Sequence, residues 1–315
     1  MASPLLSVII VSYNTQAILR NCLRSLVEQT TIPYEIIVVD NMSQDNTCTM
    51  IEQEFPEVRL VRSTSNKGFA HANNQGLRLA CGHYVLFLNP DTVVLDYASD
   101  TMVAYLQAHP EVGLLGPSVL NADGYTEQAS VFRFPTVKRL LFYHIPPLYW
   151  LARLVRPNAV AYGDYIPACT MPVEIVSGCC MAMPTALVRD IGGMNEAYFM
   201  YSEEFDLCEE VHARGKQVLY FKEARIIHLG GASTSQTSDR MAVELLKSMK
   251  LYIQRVQPDA LAAVRLLYII GSAWRYVAWT ALRLLGIRRE QAQSRIGNHS
   301  AMLRWLLWEF NTNKS

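Results

Sequence analysis

The feature that most constrains this chain is a rhythm in its first ninety residues. Four short apolar runs, at 5–12, 34–39, 58–61 and 84–88, alternate with three stretches of helical pattern. The first run, Leu-Leu-Ser-Val-Ile-Ile-Val-Ser, does not alternate between apolar and polar residues. It therefore reads as a strand buried on both faces, as in a parallel sheet. Residues 15–28, 47–54 and 71–81 predict helices, and Ile18, Leu19, Cys22, Leu23, Leu26 and Val27 form one broad stripe on the first. Ser43-Gln44-Asp45 offers a cap for the second. A β-α-β-α-β-α-β order with short connections predicts an open, doubly wound α/β sheet with right-handed crossovers, and disfavours a bundle or a sandwich.

In such a sheet ligands bind beyond the carboxyl ends of the strands. Two runs end there in acids, the second at Asp40-Asn41 and the fourth at Asn89-Pro90-Asp91. A carboxylate at that edge suits a divalent metal holding phosphate oxygens, although Asn-Pro-Asp is also an ordinary turn. Asp40 can accept from a ribose or from a pyrimidine ring N–H, or it can close an Asx turn. Asn66, Asn73 and Asn74 set three amides around Gly68-Phe69, as ligand contacts or as caps. Tyr13-Asn14-Thr15 follows the first strand where a dinucleotide fold or a phosphate loop needs glycines, so neither of those solutions applies.

Further on, 96–109 predicts a helix, 112–120 a strand, 121–124 a turn and 185–191 a short helix. Residues 174–183 predict one strand, with Gly178 marking a close approach of backbone to a ligand or neighbour. The proline-broken region 131–173 interleaves Phe132, Phe134, Phe142, Tyr143, Tyr149 and Trp150 with Arg133, Lys138, Arg139, Arg153 and Arg156. It reads as an acceptor groove or membrane contact, or as an inserted subdomain packing its own aromatics. Five acids then fall within 203–210. Ser202 is positioned to cap their helix, and the dipole favours acids in its first turn. Glu209 and Glu210 read as a solvated face. Glu204, at the helix start beside aromatics, is placed to have a raised pKa and act as a general base. Gly215 ends this helix, 217–221 and 225–227 are strand-like, and His228 follows. Paired with Asp91, His228 gives a carboxylate–imidazole set suited to Mn²⁺ or Mg²⁺.

Lys plus Arg and Asp plus Glu number 28 each, which argues against a nucleic-acid partner. Seven scattered cysteines, without zinc spacing, read as reduced and mostly buried thiols of a cytosolic protein. No signal peptide is expected from the first residues, and no run of about 20 uncharged apolar residues occurs. From residue 237 the pattern is helical, interrupted at Pro258 and resumed over 260–285, with a last short helix at 301–310. Arg265, Arg275, Arg283, Arg288 and Arg289 accompany Trp274 and Trp279. That set suits an interfacial amphipathic helix at a membrane surface. A helical hairpin closing over the rest of the chain, or a homodimer interface, explains the same pattern.

The motifs, taken in order, resemble the inverting family 2 glycosyltransferases, in particular the bacterial rhamnosyltransferase-like branch. The matching pieces are residues 8–14, 38–43, 66–70 with Asn73, Asn74 and Gly76, and 89–91. They continue with the Gly178 strand, Gly192-Gly193, 199–201, 206–208, and His228 with Gly230-Gly231 and Ser233. The resemblance covers 6–235. It implies a GT-A nucleotide-sugar-binding domain over 1–235, with a mostly parallel sheet and with 131–173 on the acceptor side, and a helical extension over 236–315. It implies a nucleoside-diphosphate sugar donor, dTDP-L-rhamnose or a UDP-sugar, and a glycan or polyprenyl-diphosphate-linked acceptor at the inner face of the cell membrane.

The resemblance also assigns residues. Ser12, Tyr13, Asn14, Asp40, Asn66, Gly68, Phe69, Asn73, Asn89 and Asp91 would line the donor site, with Asp40 on the base. Asp91 and His228 would hold Mg²⁺ or Mn²⁺. Glu204 would be the base, with Glu203 and Asp206 beside it. Three departures stand out. Glu204 replaces the usual Asp, Asn195 replaces an acid and so alters acceptor contacts, and Glu210 replaces an Arg that would partner the acids. A catalytically weak nucleotide-binding scaffold is the alternative of another class. A sugar-1-phosphate nucleotidyltransferase would need a Gly-rich basic loop after the first strand, which Tyr13-Asn14-Thr15 is not.

Overall fold

The computed structural model describes residues 4–145, 148, 166–230 and 238–311. It divides into two compact units, Met1–Phe134 with Gly163–Ser233, and Pro135–Tyr162 with Thr234–Ser315. The expected boundary at 235, together with Gly231, Ser233, Tyr149, Trp150, Arg153 and Arg156, lies outside the described residues.

The first unit is built on a nine-stranded mixed sheet among the described residues. Its strands are β1 (Leu6–Ser12), β2 (Tyr34–Asp40), β3 (Arg59–Arg62), β4 (Tyr84–Leu88), β5 (Thr92–Leu95), β6 (Val112–Leu120), β8 (Met171–Pro172), β10 (Cys180–Pro184) and β11 (Gln217–His228). A separate pair joins β7 (Val131–Phe132) to β9 (Ile175–Val176). The order is β3-β2-β1-β4-β10-β6-β11-β5, with β8 on β11. Strands β1 to β4 pair in parallel. β10 runs antiparallel to both β4 and β6, so β6 and β11 point the same way as the first four strands.

The run at 5–12 is buried from Leu6 to Ser12, because helices cover both faces of the sheet. Leu6, Val8 and Ile10 meet Leu19, Leu23 and Leu26 of the Gln16–Gln29 helix in a core that extends to Met102 and Leu106. The third run forms an edge strand with an exposed–half-buried–half-buried–exposed pattern, as its arginines require.

Two expected strands differ. The 174–183 run is cut at Gly178 into β9 and β10, which belong to different sheets. Conversely, 217–221 and 225–227 form one strand whose register on β6 slips between Phe221 and Arg225. The sequence break marks a bulge, since an irregularity in one strand leaves its neighbours' pairing intact on either side. Strand β5 was not expected, because four residues carry too little periodicity.

The second unit is helical: Val137–His144, Ser238–Val256, Leu261–Leu284 and Arg289–Arg304, the last continued by a π-helical turn at Trp305–Glu309. The Val137–His144 helix therefore groups with the C-terminal helices and not with the sheet. The His144 ring packs against Tyr268, with centroids 4.2 Å apart and the planes tilted by 57°. Arg289–Arg304 has no apolar stripe to announce it and is a helix through its neighbours. Arg265 and Arg275 are spent inside the unit. Arg265 donates to the Leu306 carbonyl at 2.7 Å and lies 4.8 Å over Phe310. Arg275 donates to the Gly271 and Tyr143 carbonyls at 3.2 Å. Leu266, Ile270, Trp274, Val277 and Leu284 leave an exposed apolar stripe, next to exposed Arg283, Arg288 and Arg289. By length and composition Pro258–Leu284 is apolar enough to cross a membrane, a test that core helices of soluble proteins also pass.

Candidate active site

The site is built where the strand order reverses. β1 lies between β2 and β4, all three parallel, so their carboxyl ends share one edge and the switch point falls between β1 and β4. Ser12 and Asp40 are register partners at that edge.

Asp40 is 3% exposed. Its Oδ2 accepts the Ser43 backbone N–H at 3.0 Å, closing an Asx-type turn. Its Oδ1 is buried with no hydrogen-bond partner among the described residues. The turn thus uses one oxygen and leaves the other for a donor. Asn14, at φ 52°, ties the two strand ends together. Its N–H donates to Ser43 Oγ at 2.9 Å and its Oδ1 accepts from Gln44 N at 2.7 Å. The Ser12 hydroxyl is fully buried against Thr15 Oγ1 at 2.8 Å, whereas Tyr13 is exposed. Of the three, Tyr13 is the one presented to a ligand.

The Asn66–Phe69 turn is held by its own amides. Asn66 Oδ1 accepts from Gly68 N at 3.1 Å and from Asn41 Nδ2 at 2.8 Å. Gly68 has φ +98°, and a Cβ there would sit 2.2 Å from the Phe199 carbonyl oxygen, which itself accepts the Phe69 N–H at 2.8 Å. Asn73, 1% exposed, donates to the Phe69 carbonyl at 3.0 Å, so its amide serves its own helix. Asn74 brackets the 193–196 turn, donating to the Met194 carbonyl at 2.8 Å and to Glu196 at 2.9 Å while accepting from Met194 N at 2.9 Å.

At the end of β4, Asn89 N–H donates to the Cys179 carbonyl at 2.9 Å, and its Oδ1 is buried and unpartnered among the described residues. Asp91 is 6% exposed, with Oδ1 3.2 Å from His228 Nε2. The pairing of β5 with β11 sets Thr92 opposite His228 and so brings the two together. An octahedral ion with bonds of about 2.1 Å keeps adjacent donors about 3 Å apart. A carboxylate oxygen and an imidazole nitrogen at this separation therefore fit one divalent ion. No cluster of three or more His, Cys, Asp or Glu occurs among the described residues.

The second group of acids starts the Glu203–Ala213 helix, after two residues in the left-handed region, Tyr201 at φ 72° and Ser202 at φ 67°. Ser202 occupies the cap position but makes no side-chain cap bond. Asp206 spends both oxygens in the fold, accepting from Tyr198 OH at 3.0 Å and Asn195 Nδ2 at 2.7 Å. Asp206 is thus a buried tether for the 195–198 turn, with Asn195 as one of its partners. A second carboxylate at 195 would face Asp206 with like charge. Glu210 pairs with Arg214 at 2.7 Å, away from the other acids.

Glu203 is 5% exposed and Glu204 half-buried, and each has Oε2 buried and unpartnered among the described residues. Burial pushes Glu204 up to about 7. A Cβ on Gly178 would stand 3.6 Å from Glu204 Cβ, which is the close approach expected of that glycine. Asp91 and Glu204 both act on the Cys179 thiol, which burial pushes up to about 12. Asp91 and Glu204 therefore flank the same 177–179 turn. Tyr198, Asn195 and Asn74 were not legible as site supports, because their partners lie in other elements. All seven cysteines are free; Cys81 and Cys169 are exposed, against the expectation of mostly buried thiols only at those two positions.

The family model for glycosyl transferase family 2 matches residues 7–167. The chain is 26% identical over 243 residues to the N-acetylglucosaminyl-diphospho-decaprenol L-rhamnosyltransferase of Mycobacterium tuberculosis, covering 73% of this chain and 78% of that one. It is 28% identical over 236 residues to the O-antigen biosynthesis protein RfbC of Myxococcus xanthus, covering 73% of this chain and 18% of that protein. Among solved structures it resembles the mannosyltransferase PcManGT of Pyrobaculum calidifontis in complex with GDP-Man and Mn²⁺. That match has a TM-score of 0.52 and 17% identity, over 98% of this chain and 88% of that one. It also resembles GalNAc-T7 with UDP, GalNAc and Mn²⁺, with a TM-score of 0.57 and 15% identity over 97% and 56%.

Proposed function

The chain belongs to glycosyl transferase family 2 and has the GT-A fold, and from that premise we propose that it is an inverting, metal-dependent transferase moving L-rhamnose from dTDP-L-rhamnose to a hydroxyl of a lipid-linked glycan. The observation that carries this reading is the Asp91–His228 pair at 3.2 Å, set at the strand switch point. The donor and acceptor classes rest on the similarity to a rhamnosyltransferase whose name specifies a diphospho-decaprenol substrate.

In this mechanism the free Asp40 Oδ1 accepts the ring N–H of the base, and exposed Tyr13 covers the nucleoside. Asp91 Oδ1 and His228 Nε2 would hold Mg²⁺ or Mn²⁺. When bound, the ion neutralises charge that develops on the leaving diphosphate. Glu204 takes the proton of the acceptor hydroxyl. The acceptor oxygen forms its bond to the anomeric carbon from the face opposite the diphosphate. The old C–O bond breaks with its electron pair left on the diphosphate, and the configuration inverts. A base poised near neutrality is suited to this proton transfer. The exposed Leu266–Trp274–Leu284 stripe with Arg283, Arg288 and Arg289 supports peripheral contact with an anionic inner membrane surface, where a lipid-linked acceptor resides.

The test is calorimetric titration with dTDP-rhamnose, UDP-glucose and UDP-GlcNAc, with and without Mn²⁺, on the wild type and Asp91→Ala. Metal-dependent binding of dTDP-rhamnose, lost in the variant, is expected. Preference for a UDP-sugar would replace the donor, since Asp40 treats thymine and uracil alike. Binding of no nucleotide sugar would sink the reading.

A further inference from the structure

Glu203 and Glu204 are adjacent, yet their surroundings differ. Glu203 is 5% exposed and its Oε2 meets no donor among the described residues. The charges acting on it are those of Glu204 and Asp206, both negative. Tyr198 and Asn195 donate to the two oxygens of Asp206. Facing Glu204 are the thiols of Cys179, from the 177–179 turn, and Cys208, one turn along the helix. Burial pushes both up to about 12, so neither supplies charge. Burial with one oxygen unmet, beside two other acids, drives a carboxyl group towards its protonated form.

We propose that Glu203 is the neutral member of the pair: the one proton that Glu203 and Glu204 hold resides on Glu203, a positioning residue that leaves Glu204 the single ionising group of the turn. This rests on the assignment of Glu204 as the base. Burial also holds Glu203, the less exposed of the two, well above the ordinary carboxylate range. The consequence is chemical. A second ionised carboxylate beside Glu204 would raise its proton affinity further and reduce the fraction ready to accept a proton at neutral pH. A neutral neighbour avoids this.

The direct test is infrared difference spectroscopy of wild type minus Glu203→Gln at pH 7. Loss of a protonated-carboxyl C=O band is expected; loss of an ionised-carboxylate band would overturn the proposal. With dTDP-rhamnose as donor, Glu203→Gln should retain kcat/KM within about threefold, and the pH of its acid limb should not move. A loss of 100-fold or more, or a limb displaced downward by a unit, means that Glu203 was ionised and sinks the idea. Glu204→Gln is the control, expected to lose about 10²–10⁴-fold. Should it stay active, the base assignment fails while the infrared result still judges Glu203. If Glu203→Gln does not fold, wild type carrying ¹³C-carboxyl glutamate answers the same question. One resonance held at its protonated position through pH 7 supports the proposal, and its absence overturns it.

Discussion

The acids at the sheet edge and those at the helix start live by opposite rules. Asp40 and Asp91 each have one oxygen met, by the Ser43 N–H at 3.0 Å and the His228 ring at 3.2 Å. Glu203 and Glu204 present buried Oε2 atoms that no described group meets. Donors and nearby cations favour the ionised form, and unrelieved burial favours the protonated one. The helix start is thus fitted to a movable proton, as a base requires, whereas the edge offers the Asp91–His228 pair to a divalent ion and the unmet Asp40 Oδ1 to a donor.

The largest effects should come from crossing these rules. Asp91→Ala removes the fixed charge and should lower kcat/KM by about 10³-fold or more, without recovery in excess Mn²⁺. Recovery at high Mn²⁺ would show that His228 and the ligand suffice. Gly68→Ala tests the wall between the regions. With φ +98° and a Cβ 2.2 Å from the Phe199 oxygen, it should destabilise by about 2–4 kcal/mol in urea unfolding, and an unchanged midpoint would mean that the loop relaxes freely. Asn195→Asp turns a donor into a like charge against Asp206 and should cost about 2 kcal/mol at pH 7 in urea unfolding.

The smallest effect has the most telling sign. Glu204 rises from 4.5 to about 7 in the fold. Below pH 4.5 it is protonated folded and unfolded, and Glu204→Gln should melt with the wild type. As pH rises through 7 only the wild type bears a buried charge, so the variant should melt a few degrees higher and keep that lead. A gap that opened in acid instead would mean a lowered pKa and would erase the contrast.

The parallel half of the sheet was legible because its strands are buried on both faces, and each is followed by the helix that covers it. Register then carried Ser12 to Asp40 with no long-range information. The other half was not. Strand β10 enters between β4 and β6 against their direction, and Gly178 sends one apolar run into two sheets. Nothing in a periodicity of two distinguishes a continuous strand from one that turns a corner. Asn66 and Asn73 looked like ligand contacts because a side-chain amide announces only that it needs a partner; the fold gave them backbone ones.

By itself the sequence determined the α/β class, the edge at which Asp40 and Asp91 stand, and the helix that begins with Glu203 and Glu204, since each follows from local pattern and strand polarity. The tertiary structure decided what these acids are. It set His228 beside Asp91 through the pairing of β5 with β11, tied Asp206 to Tyr198 and Asn195, and left one buried oxygen each of Glu203 and Glu204 unmet among the described residues. The reason is that a carboxyl group's charge depends on which donors and charges lie within a few ångströms, and those come from segments far away in the chain.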